Sequence, residues 1–332
     1  MKMLISILIM LGLSSYLFAN DNSSINIPHI FASGDVISSS KINNNFAHIA
    51  KQFGHNKITV DCNSGNLINE INNGYNHLSV RGNCSSSITT SFIDLELLGY
   101  SPDHKSVGFL TLSGRDREID SVTGFIKALS NSVLQIDNLT IHGNFDINAG
   151  GFLLLNNVKV IGNILVGGGA FVIMNNSSID GSSSSTECLK IEQGAYFFGA
   201  NVNISCSVNN NTVTLTQSNA LLKGDSNIIT ASGNAHAFKV EYGSSLIIGG
   251  NTEVSSETYE AMVIVGSVVR LSGNSTTSVL STDSEYDISL NAFSYLIIDS
   301  GVTTGTVRCK DALTFVDNRT GSTATVDTSC TQ

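Results

Sequence analysis

Three ten-residue segments of this chain align without a gap: Leu134–Gly143, Leu153–Gly162 and Val172–Gly181, each 19 residues after the one before. Asn138, Asn157 and Asn176 share one register position, and Gly143, Gly162 and Gly181 share another. Beyond Gly181 the step lengthens but the unit recurs in Leu189–Gly199, Val213–Gly224, Phe238–Gly249, Met262–Gly273 and Ile288–Ser300. Each is an alternating strand, a corner of small residues and a second apolar strand. A unit this short cannot bury its apolar face alone, whereas coaxial stacking lets each strand pair with its counterpart one turn on, about 4.8 Å away. In such a stack the aligned asparagines form a ladder of amides. The aligned glycines supply backbone angles that other residues disfavour. An antiparallel β-sandwich is the alternative, but its hairpins call for Asn-Gly or Asp-Gly between strands, and Asp180-Gly181 falls inside the repeat. An all-β solenoid is expected.

Composition narrows the function more by exclusion than by assertion. Only 13% of the 332 residues are charged, too few for a charged disordered chain or a long coiled coil. The formal net charge of −10 argues against a nucleic-acid-binding surface, which needs clustered Lys and Arg to neutralise phosphates.

Met1 to Ala19 reads as a secretory signal peptide, with Lys2 in front, the apolar run Leu4–Leu13, and Ala19 before the cut. An uncleaved anchor is the alternative, although the run is short for a bilayer span. No later run approaches about 18 apolar residues, so no transmembrane segment is expected in the mature chain. Residues 20–57 then form a leader with a capping helix, and 58–332 the coil. Ser38–Ser40 can cap a helix whose Ile42, Phe46, Ile49 and Phe53 lie on one stripe. That helix either shields the edge of the first rung or, through residues 38–53, provides a seam for self-association.

Six cysteines in an exported chain point to disulfides, and six allow 15 pairings. They fall into local couples, Cys62 with Cys84, Cys188 with Cys206 and Cys309 with Cys330, separated by 22, 18 and 21 residues. Each separation is close to one turn of the coil. Equivalent positions one rung apart lie within disulfide reach. With no C-x-x-C and no histidine at ligand spacing, a metal site is not expected.

The segments Ile58–Cys62, Leu67–Ile71, Leu78–Cys84 and Leu95–Gly99 resemble the first turns of the right-handed parallel β-helix, or pectin-lyase-like, superfamily of exported bacterial and phage proteins. The resemblance covers roughly residues 58–317 and implies a single-stranded right-handed parallel β-helix. A second likeness, over Ile27–Phe53, is to a leader of phage tail-fibre-like and secreted bacterial proteins. Members of the superfamily include polysaccharide lyases, polygalacturonases and pectin methylesterases, and their signatures are missing here. There is no Asp-Asp and no Gly-His-Gly. Gly194–Asn201 is similar to a methylesterase stretch but carries an aromatic where the nucleophilic aspartate belongs, so it reads as a core strand.

The densest charged stretch, Arg115, Asp116, Arg117, Glu118 and Asp120, is the one candidate for chemistry. It can line a sugar groove or hold calcium, or it can be an exposed loop of self-compensating charge. No cofactor is otherwise called for. Tyr242, Tyr259 and Tyr286 can stack on sugars or pack at corners. The seven histidines show no paired spacing. The expected function is an exported, non-catalytic structural or adhesive module that binds glycans or cell-surface proteins, in the periplasm, at the cell surface or outside it. The alternatives are a polysaccharide lyase or glycoside hydrolase with a divergent site, and a phage-derived tail-fibre-like component.

Overall fold

The computed structural model describes residues 57–90, 108–181, 186–206, 209–272, 277–311 and 313–331. The expected signal peptide, the expected leader helix over 38–53 and the segment Leu95–Gly99 lie outside them. The described chain winds into a right-handed parallel β-helix of three sheets, in which every pairing is between a strand and its counterpart in the next coil. In the coil that opens the exact repeat, the first sheet takes Val133–Asp137, the second Thr140–His142 and the third Phe145–Ile147. Among the described residues these sheets hold 12, 10 and 11 strands. One helix, α1 (Leu67–Asn72), follows the first strand, Lys57–Asp61. Asn66 caps it by accepting a hydrogen bond from the Ile68 N–H, while Leu67 and Ile71 face the core.

Two-residue periodicity explains which side chains go in. Along the first sheet Leu134, Leu153, Val172, Phe197 and Ala220 stack one above another, all buried. Val122, Ile141, Val160 and Ile179 do so in the second sheet, and Ile126, Phe145, Ile164 and Leu189 in the third. Three inward columns fill the interior, so each coil contributes to one continuous core. Phe197 fits because Gly199 leaves room: a Cβ on Gly199 would come within 3.1 Å of the Phe197 ring. The Gly194–Asn201 segment is thus a core strand.

The corners differ in chemistry. Between the first and second sheets stand Asn138, Asn157, Asn176 and Asn201, with φ of 53°, 54°, 49° and 55°. Asparagine tolerates this left-handed conformation because its short amide bonds locally. The Asn157 amide donates to Asn138 Oδ1 at 2.8 Å, and the Asn201 amide to Asn176 Oδ1 at 3.0 Å. The register therefore reaches Asn201, 25 residues past Asn176, although the sequence spacing breaks there. Between the third and first sheets the small residues Ser218, Ser244, Ser267 and Ser294 replace the glycine and alanine of earlier coils. The Ser218 and Ser244 N–H groups donate to the Ser244 and Ser267 hydroxyls at 3.2 and 3.1 Å.

Gly143 and Gly162 have φ of 155° and 151°, and a Cβ on either would strike the carbonyl oxygen of the aligned glycine one coil below. Gly181 departs from the expectation. Its φ is not in the left-handed range, and a Cβ there would overlap Cys188 Sγ; the glycine is set by the disulfide, not by backbone angle.

The structure joins Cys62–Cys84, Cys188–Cys206 and Cys309–Cys330, with Cα atoms 4.9, 6.1 and 5.0 Å apart. The geometric reason differs from the one the spacing suggests, because none of the pairs occupies equivalent register positions. Asp61 pairs with Arg81 and Val307 with Val326, so Cys84 and Cys330 each lie two residues beyond register. Cys188 precedes a third-sheet strand while Cys206 ends a second-sheet strand. All three bridges fasten neighbouring coils diagonally.

Candidate functional site

The loop Gly114–Asp120 leaves the first-sheet strand Phe109–Ser113 and enters the second-sheet strand Ser121–Thr123. Asp120 ties it down. Its fully buried carboxylate takes the Arg115 guanidinium in a two-pronged contact, Nε to Oδ2 at 3.1 Å and Nη2 to Oδ1 at 2.9 Å. It also accepts the Gly82 and Arg115 N–H groups at 2.7 and 2.9 Å. The Arg115 hydrogen bond, more than burial opposes it, holds the Asp120 carboxyl well below the usual carboxylate range, and the same contact raises Arg115. Asp116 turns the loop by accepting the Glu118 N–H at Oδ1, 3.0 Å, and the Asp120 N–H at its carbonyl, 3.0 Å.

With Arg115 and Asp120 engaged by each other, Arg117 and Glu118 project over the second sheet. Thr140 Oγ1 donates to the Arg117 carbonyl at 2.6 Å, fixing the loop to the next coil. The Arg117 side chain reaches the Asn176 carbonyl at 3.5 Å, over the ladder corner. Glu118 lies 3.5 Å from Arg117 and is largely exposed, so the pair is weak. Beneath the loop an open cleft of about 220 Å³ is lined by Arg117, Glu118, Ile119, Thr140, His142, Lys159 and Ile161, together with Asn83 and Ser121. Lys159 makes no salt bridge among the described residues. His142 and Asp180 share a column with Ile161 between them.

The five charged candidates are therefore one loop with divided duties: Arg115 and Asp120 anchor, Asp116 caps, Arg117 and Glu118 face the cleft. No group of three or more His, Cys, Asp or Glu side chains stands in metal-binding geometry among the described residues. Chemically the cleft offers cations and hydrogen-bond donors from separate coils and a single exposed carboxylate. That set suits holding an anionic group better than the paired carboxylates of glycosidic bond cleavage.

A second polar centre escaped sequence reasoning. His236, Glu260 and Tyr286 occupy one corner column in consecutive coils, since Phe238, Met262 and Ile288 pair in register two residues later. His236 Nδ1 lies 2.8 Å from the Glu260 carbonyl oxygen and 3.7 Å from Oε2. Arg308 Nη2 donates to Glu260 Oε1 at 2.6 Å while its guanidinium covers the Tyr286 ring at 4.4 Å. Tyr259 meets His236 edge-on at 5.4 Å. Burial pushes the Glu260 carboxyl up, but its own backbone N–H, Arg308 and His236 outweigh this and leave it below the ordinary range. The signal was present in the 24- and 26-residue steps from 236 to 260 to 286. It stood out only once insertions had been assigned to corners.

Comparisons with protein-family models, curated proteins and solved structures return no match.

Proposed function

We propose that this chain is an exported, non-catalytic adhesive module that holds an acidic glycan, through carboxylate or sulfate groups, in the cleft beneath the Arg115–Asp120 loop. The observation that carries the reading is the convergence of Arg117, His142 and Lys159 from successive coils onto one open cleft of an otherwise acidic chain. The three disulfides fit maturation in an oxidising compartment, and the signal peptide at Met1–Ala19 supplies the route. No helix among the described residues is long and apolar enough to cross a membrane. The resemblance of the opening coils to the pectin-lyase-like superfamily makes a saccharide ligand the natural class, while the rigid ion pair at Asp120 favours binding over turnover.

The test is a titration of the purified chain with uronate-containing, sulfated and neutral oligosaccharides, followed by assays for new reducing or unsaturated ends. The expected result is saturable binding of the acidic ligands alone, weakened roughly tenfold by Lys159→Ala, with no new ends. Cleavage of any of these polymers would overturn the non-catalytic reading, and equal binding of neutral sugars would overturn the assignment to the cleft.

A further inference from the structure

The outward side chains of the first sheet form a face that is largely apolar along two of its columns. Phe171 and Tyr196 stack in one column, ring centroids 5.4 Å apart, and Ile173, Phe198, Leu221 and Ile247 follow in the next. The face spans eight coils, from strand Phe152–Asn156 to strand Phe315–Asn318; its central column is apolar over the first five and carries Arg270 and Asp317 in the last three, while Phe171 and Phe315 remain 46% and 49% exposed. Eight rungs and strands of about five residues give roughly 38 by 17 Å, or about 650 Å². That area approaches the share each partner buries in a standard interface, about 800 Å².

Charge sharpens the choice of occupant. From strand Phe152–Asn156 to strand Ser245–Ile248 the outward positions hold a single charged group, Lys223, and no carboxylate, on a chain of formal charge −10. Past that stretch, Asp299 pairs with Arg270 and Arg319 at 2.9 and 2.7 Å, giving the far end a polar rim. Acidic copies repel elsewhere but meet here without opposed carboxylates. The columns repeat at one fixed spacing, so two copies can interdigitate as two sheets packed about 10 Å apart, in a self-complementary contact.

We infer that this face is the interface between two copies of this chain, packed first sheet against first sheet. It is separate from the cleft on the second sheet and does not depend on what that cleft binds. Sedimentation equilibrium of the full exported chain tests it, with Phe198→Glu, the milder Ile247→Ser, and a deletion of residues 38–53. The unmodified chain is expected to be a dimer at micromolar concentration. Phe198→Glu should raise the dissociation constant by roughly tenfold or more and Ile247→Ser by a smaller factor, with the melting temperature of the monomer unchanged. The deletion should leave the dimer intact. A monomer at every accessible concentration overturns the inference, as does a trimer. So does self-association that survives both face substitutions and vanishes with residues 38–53. Binding of the monomer to neutral lipid vesicles through the same face would assign it to a different occupant and equally overturn it.

Discussion

Arg115 and Asp120 are five residues apart in sequence and locked in a two-pronged pair, with the carboxylate fully buried and the guanidinium half exposed. The pair closes the loop that carries Arg117 to the candidate cleft, so in the proposed function it would act on ligand binding through the position of Arg117.

Asp120→Ala should therefore destabilise the fold by about 2 kcal/mol, because it strands a guanidinium and two backbone N–H groups. It should also weaken acidic-glycan binding without touching the ligand. Urea denaturation and titration of the same preparation read both effects. Arg117→Ala should lose binding with stability nearly unchanged.

The strengthened acidity of Asp120 fixes the sign of a pH effect. Its folded form holds the proton less tightly than the unfolded form, so its stabilising contribution is complete above the unfolded carboxylate value, about 4, and declines as pH falls below it. Asp120→Asn should flatten this acid limb. Melting temperatures of both forms between neutral and strongly acidic pH make the comparison, and an unaltered limb would show that other carboxylates govern it.

At Asn157, left-handed backbone and amide bond can be separated. Asn157→Ala should cost about 2 kcal/mol, since it loses the ladder bond and forces an alanine into the left-handed region. Asn157→Gly keeps the backbone and should cost only about half as much. Equal losses in thermal denaturation would mean that the conformation, at least, carries no weight.

Gly181 faces a bridge instead of a neighbouring carbonyl. Gly181→Ala should be destabilising while Cys188–Cys206 is intact and far better tolerated in a Cys188→Ser, Cys206→Ser background. That background alone should lose roughly 3 kcal/mol for an 18-residue loop. A double-mutant cycle by denaturant unfolding checks the coupling.

Where the repeat was exact, the sequence was read correctly down to single columns. Leu134, Leu153 and Val172, and the asparagines at 138, 157 and 176, follow from a 19-residue step without insertions. Legibility fell where insertions changed the step, and Asn201 and the His236–Glu260–Tyr286 column were hidden for that reason. Spacing also misled about mechanism. The cysteine separations suggested residues in one column, yet the bridges run diagonally, because distance along the chain does not distinguish a rung from a rung plus two residues. Gly181 was grouped with Gly143 and Gly162 by position alone, although a sulfur contact selects it. The cleft itself was half visible. Its loop was marked by charge density, but Lys159 and His142 join it only through the winding of the coil, which brings residues 19 and more apart to adjacent rungs.

The diagonal bridges bear on what happens under load. A coil of parallel strands pulled along its axis peels one turn at a time from an end, since each turn is held only by its neighbours. Cys62–Cys84 and Cys309–Cys330 cross the first and last described turns, so tension entering at either side passes through sulfur and skips the intervening residues. While oxidised, each such turn is a closed link that cannot lengthen. Reduction would release about 20 residues of slack per bridge, some 70 Å when drawn taut, and would turn a stiff tether into a compliant one.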